Sequence, residues 1–176
     1  MGKSYFMFTV MALSALSCYA EPKVEIDNST ISKFDTERYM GRWYEIARYD
    51  HRFERNLEYC EALYTPLSNG KIEVKNSGMD TSTGRIKESI GKAHAGKKTG
   101  QLRVSFFLFF YSDYNILALD KGYNWALVGS SSPNYLWILS RTPQLDQSTL
   151  NHILAIAENR GYDTSKLIFV KQRPKL

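Results

Sequence analysis

From residue 41 onward, apolar and polar positions alternate in short runs with a period of two, broken every eight to twelve residues by turn-forming stretches. That is the signature of half-buried strands joined by hairpins. The first run covers residues 43–50, with Trp43, Glu45, Ala47 and Tyr49 on one face and Tyr44, Ile46 and Arg48 on the other. Gly41 precedes it, where its conformational freedom suits an abrupt entry into a strand. Residues 60–65 and 71–76 follow, with the hairpin signal Asn69-Gly70 between them. In the second of these, Ile72, Val74 and Asn76 share one face and three polar residues the other, so one face is wet. Further strands are predicted over 85–95, 102–110, 114–120, 124–130 and 135–140. Eight strands at even spacing with short connections point to a meander closed into a barrel.

The period changes after Pro143. Leu150, Ile153, Leu154 and Ala157 make a helical stripe, capped by Asp146 or Ser148 and ended by Gly161. Residues 167–170 form a short final strand. The stripe is read as packing, since an exposed one would be a liability. Residues 35–40 can make one helical turn, capped by Asp35 or Thr36 and broken by Gly41. The charged stretch 51–58, around Phe53 and Leu57, is a sizeable loop.

The N-terminus reads as a secretory signal over residues 1–20: Lys3, an apolar run over 5–13, then small residues. Two processing routes are open. Ser14 to Cys18 fits a permissive bacterial lipobox, which would leave a lipidated Cys18, although Ala15 stands where a larger aliphatic residue is favoured. Alternatively, cleavage after Ala20 would release a soluble product. Residues 21–33 read as a polar arm, 34–172 as the domain and 173–176 as a basic tail. No second run is long enough to span a membrane. The expected location is therefore exported: periplasm or outer membrane, alternatively secreted.

The 176 residues suffice for one well-buried core. A net charge of +5, scattered rather than blocked, allows contact with an anionic membrane surface but argues against nucleic acid. The two cysteines are Cys18 and Cys60, and Cys60 is read as a small buried apolar residue. The histidines His51, His94 and His152 lack metal-ligand spacing, and no nucleophile elbow, phosphate loop or Cys-x-x-Cys occurs. No metal, no cofactor and no catalytic residue is implied, so the chain is read as a binder and not an enzyme.

Three stations carry a resemblance: Gly41-Arg42-Trp43-Tyr44 at the first strand, Tyr114 to Asp120 at the sixth, and residues 135–143, ending Ser140-Arg141-Thr142-Pro143, at the eighth. Together they resemble the lipocalin family, in particular its bacterial outer-membrane and apolipoprotein D-like branches. The resemblance implies an all-β fold, an eight-stranded antiparallel up-and-down barrel with one C-terminal helix and a short final strand. It implies a closed end built from Gly41, Trp43, Asp120 and Arg141, with Arg141 across Trp43. It implies a cavity for one small ligand, a fatty acid or lysophospholipid, and a role in envelope maintenance. Strand periodicity offers Ala62, Tyr64, Ile72, Val74, Val104, Phe106, Ile116 and Trp137 as lining, Phe53 as part of a lid, and Asn76 and Tyr64 as polar groups near the mouth. A carrier of haem or a bilin is the alternative, and a lipocalin-fold enzyme a lesser one. Around residues 107–113 the bacterial branch carries glycine and proline where this chain has phenylalanine and leucine. That substitution reshapes the mouth or exposes an apolar patch for a membrane or a homodimer.

Overall fold

A computed structural model describes residues 25–107 and 110–173. The signal segment with Cys18, the first residues of the arm, Leu108, Phe109 and the last three residues lie outside the described residues. Nine strands form one sheet: β1 Gly41–Tyr49, β2 Leu57–Pro66, β3 Ile72–Asp80, β4 Ile86–Ala95, β5 Gln101–Phe107, β6 Phe110–Leu119, β7 Trp125–Gly129, β8 Leu136–Ser140 and β9 Leu167–Phe169. Each of β1 to β7 pairs antiparallel with the next, and β1 pairs with β8 as well as β2. That double pairing closes the sheet into an eight-stranded barrel. The ninth strand lies on the upper half of β1, where Tyr49 opposes Leu167. Beside it, the Gln172 amide donates to the carbonyls of Glu45 and Cys60, bridging the place where β1 and β2 part.

An up-and-down barrel sends alternate connections to opposite ends. Residues 50–56, 81–85 and 130–135 join strands at one end, where Phe107 of β5 also pairs with Phe110 of β6, and residues 67–71, 96–100 and 120–124 join them at the other. Helix α1, Thr36–Tyr39, crosses the second end. Asp35 caps it, accepting from the backbone N–H groups of Glu37 and Arg38. Met40 follows it as an extended residue, and Gly41, at φ 92°, turns the chain into β1. Helix α2, Gln147–Asn159, is capped by Asp146, whose carboxylate accepts from the Thr149 N–H at 2.9 Å. It lays Ile153 and Ala157 on the outer wall, against a cluster that includes Ala47, Leu117, Leu127 and Ile138. A second cluster fills the barrel, among it Trp43, Tyr64, Ile72, Val74, Ile116 and Val128.

Three expectations change. The strict alternation of β1 breaks at a bulge between Glu45 and Ala47. Beyond it Ala47 and Tyr49 join the outer cluster under α2, and Arg48 turns inward to stand directly across from Trp137. Strand β2 begins at Leu57, before Cys60, and carries its own irregularity between Glu58 and Glu61, with Tyr59 at φ 55°. The apolar window 106–110 is not the end of one strand, because the chain doubles back within it and Phe107 pairs with Phe110 across the β5–β6 hairpin. A run without polar punctuation hides such a turn from periodicity.

Candidate ligand-binding site

The barrel interior has three levels. At the closed end the Arg141 guanidinium carbon lies 3.8 Å from the centre of the Trp43 ring. Its nitrogens donate to the carbonyls of Arg42 (2.7 Å), Arg38 (2.9 Å), Tyr39 (3.1 Å) and Tyr123 (3.3 Å). Trp43 is fully buried and its Nε1–H donates to the Tyr39 carbonyl at 2.8 Å, so the buried indole has its partner. A Cβ on Gly41 would lie 3.5 Å from Arg141 Nη1. Asp120 holds the neighbouring turn, accepting from the N–H groups of Gly122 and Asn124 and from the Asn124 amide. These hydrogen bonds of Arg141, Trp43 and Asp120 are all made to the protein itself. This end is a plug.

Above the plug lies an apolar floor with one polar feature. Ile72, Val74 and Ile116 are buried, while Ala62, Val104 and Trp137 pack against them half-buried. Ile116, Val128 and Trp137 stand in register on β6, β7 and β8. Tyr64 does not lie near the mouth as its spacing suggests. It sits across from Gly41, in the closed half, and donates to the Tyr114 hydroxyl at 3.0 Å, which also meets the Tyr39 hydroxyl at 2.6 Å. Burial pushes the Tyr64 hydroxyl up to about 12 and those of Tyr39 and Tyr114 well above the ordinary range. The three phenols are neutral and satisfy one another, which removes Tyr64 from the set of groups free to hold a headgroup.

The third level is charged, and sequence reasoning placed little of it. Glu45 and Arg48 form a buried ion pair at 2.6 Å. Arg48 also donates to the carbonyls of Glu54 (2.6 Å) and Leu57 (3.2 Å), fastening the loop 50–56 to the barrel wall. Glu54 Oε2 lies 3.0 Å from His51 Nε2 and accepts from Trp137 Nε1 at 3.2 Å. The His51 ring rests against Phe53, Tyr135 and Trp137, with centroids 5.3 to 5.8 Å apart. Burial, with the neighbouring Glu54, lifts the Glu45 carboxyl well above the carboxylate range despite Arg48. Burial also acts to raise Glu54, but His51, Trp137 and Arg48 outweigh it and hold that carboxyl below its ordinary value. Cys60, buried and free, is pushed far up by burial and the two glutamates, and so stays a thiol. Glu45 shares the Trp43 face in the sequence pattern and was legible there. Arg48 was not, because the bulge reverses its face. His51 and Glu54 carry no periodic signal at all.

At the open end the inward face continues into solvent. Asn76, Gly78 and Asp80 of β3 stand across from Ser89, Lys87 and the turn, and Lys87 and Ser89 are exposed. Lys87 Nζ lies 2.5 Å from Asp80 Oδ2, and that contact, with Ser82, holds the Asp80 carboxyl far below its ordinary range. The Asn76 side-chain oxygen is buried without a hydrogen-bond partner among the described residues. Below these, Gly91 leaves room for Phe106, whose ring carbons would lie 2.7 and 2.9 Å from a Cβ there. The fourth strand pairs with β5 only over residues 92–95, so its upper half has β3 alone as a strand neighbour among the described residues. Phe53 stands on the rim, mostly exposed. The interior therefore runs from a sealed apolar base to a polar, open mouth.

Residues 34–172 match the family model described as lipocalin-like domain. The chain belongs to the lipocalin family. This lipocalin is 46% identical over 146 residues to outer membrane lipoprotein Blc of Escherichia coli K12, a match covering 82% of each chain. To mouse apolipoprotein D it is 32% identical over 149 residues, covering 79% of this chain and 77% of that one. Insecticyanin from the tobacco hornworm Manduca sexta superposes with a TM-score of 0.68 over 86% of both chains at 21% identity, a likeness of fold. Lipocalins are in general binding proteins, and among the described residues no group of three or more His, Cys, Asp or Glu is placed to hold a metal ion.

Proposed function

We propose that this lipocalin binds one single-chain lipid, a fatty acid or a lysophospholipid, and carries it within the cell envelope. The observation that carries the reading is the polarity gradient of the barrel: plug, apolar floor, charged band, open mouth. The acyl chain lies over Ala62, Val104, Phe106 and Trp137 toward Ile72, Val74 and Ile116, and the headgroup stays beside Asn76, Lys87 and the Arg48–Glu54 band. Each methylene taken from water contributes about 0.8 kcal/mol, so a modest length of chain supplies useful affinity. The relationship to an outer membrane lipoprotein over most of both chains supports an envelope location, as does the signal-like sequence of residues 1–20, with Cys18 as the candidate lipid attachment.

Native mass spectrometry of the purified protein, followed by lipid extraction and displacement titration with lysophospholipids, tests the reading. A bound acyl lipid, displaced at micromolar concentration, is expected. A protein that is empty and takes up no acyl chain would sink it, and a visible absorbance band would instead favour the pigment carrier. Trp137→Arg places a second cation beside Arg48 and is expected to lower acyl affinity with the circular dichroism spectrum unchanged. If it unfolds the barrel, Val104→Arg makes the same test from β5.

A further inference from the structure

The open end carries more exposed aromatic surface than a soluble barrel needs. Phe107 is 68% exposed, Phe110 75% and Phe53 67%, and Ile86 at the foot of the β3–β4 turn is 56% exposed. Large apolar groups left in water at one end of a molecule mark a contact surface. Topology places all four at that end, on three successive up–down connections, while the closed end shows no comparable cluster among its exposed large apolar residues. Phe107 and Phe110 are stacked, 6.4 Å apart at 15°, so two rings project together from one hairpin.

The charges at this rim are not balanced. In the loops 50–56 and 81–85, Asp50 is paired with Arg55 and Glu54 with His51. Arg52 has only the Phe53 ring, 5.3 Å from its guanidinium carbon, and Arg85 has no ion pair among the described residues. Two arginines without carboxylates thus flank the phenylalanines. We infer that the open rim docks on an anionic bilayer, with Phe53, Phe107 and Phe110 entering the acyl boundary and Arg52 and Arg85 resting at the phosphates. Apolar tips with basic neighbours are the chemistry that holds a protein in a membrane interface. A second copy of the chain fits less well, because a two-fold contact through this face would set each copy's unpaired arginines against the other's. Docked this way, the barrel mouth faces the lipid layer. The inference goes beyond the ligand reading and does not need it to be correct.

The test uses the full chain carrying Cys18→Ala, so that no acyl anchor contributes. Phe107→Trp at the rim and Leu63→Trp on the closed half report position when mixed with vesicles of phosphatidylcholine and phosphatidylglycerol bearing brominated acyl chains. Quenching of the tryptophan added at 107, and none of that at 63, is expected. In flotation assays Phe107→Ser/Phe110→Ser weakens vesicle binding by about tenfold or more, and Arg52→Ser and Arg85→Ser by about fivefold each, an effect lost in phosphatidylcholine alone or in high salt. Equal quenching at both positions, or none at either, overturns the proposal. A concentration-dependent blue shift of the tryptophan at 107 without vesicles, with a doubled mass in solution, overturns it in favour of a homodimer. Lysophospholipid titration of Phe107→Ser/Phe110→Ser in solution separates this from the carrier reading, since rim variants are expected to keep ligand affinity.

Discussion

Arg141 covers Trp43 at 3.8 Å and at the same time holds four backbone carbonyls, those of Arg38, Tyr39 and Arg42 at the entry to the first strand and that of Tyr123 in the β6–β7 turn. One side chain thereby closes the barrel and fixes α1 to it. Arg141→Ala removes the cation–π contact and leaves those carbonyls to water, at a cost of about 2–4 kcal/mol. Arg141→Lys recovers only part, since an ammonium cannot span the fork of acceptors. Urea denaturation followed by tryptophan fluorescence measures both.

Burial and the neighbouring Glu54 raise the Glu45 carboxyl well above the carboxylate range, with Arg48 opposing them. A carboxyl whose folded value is raised costs stability as pH climbs from its unfolded value through its folded one. Glu45→Gln removes that titration, so its stability relative to the parent is expected to improve as pH rises above the ordinary carboxylate range and to converge with the parent below it. Denaturation profiles across pH read the difference, and a constant offset would contradict the assignment.

Gly91 faces the mouth where a Cβ would lie 2.6 Å from the Ser105 carbonyl oxygen and 2.7 Å from the Phe106 ring. The backbone cannot yield as a flexible side chain would. Gly91→Ala is expected to destabilise the barrel by about 1–3 kcal/mol and Gly91→Val by more. Thermal denaturation checks the order.

Cys60 is a buried thiol raised far above its usual range. In the native protein its alkylation by iodoacetamide is expected to be slower than in urea by about a hundredfold or more. Fast native labelling would mean that the β1–β2 gap bridged by Gln172 opens readily.

Much of the fold was legible along the chain. Alternation located β3 and β4 because each has one more exposed face, Asn69-Gly70 marked a hairpin, and the stripe of Leu150, Ile153, Leu154 and Ala157 marked α2. The β5–β6 turn was not legible, because its neighbours are all phenylalanine or leucine. Of the lining candidates, Ala62, Ile72, Val74, Val104, Ile116 and Trp137 do share the interior. Their part in holding a ligand is the reading that the lipid titration tests.

The sequence by itself determined the barrel and its C-terminal helix, since those follow from local periodicity and from residues that signal turns and caps, while the stations of its closed end came from the family resemblance. Only the tertiary structure decided what the interior is. The bulge at Glu45–Ala47 comes from registering β1 on β8 and turns Arg48 inward. Closure then brings Glu45, Arg48, His51, Glu54 and Trp137 into one band, and Tyr39, Tyr64 and Tyr114 into another. Trp137 and the tyrosines meet their partners across strands far apart in the chain, where periodicity carries no information about partners. Burial shifts the titration of the acids and phenols in both bands.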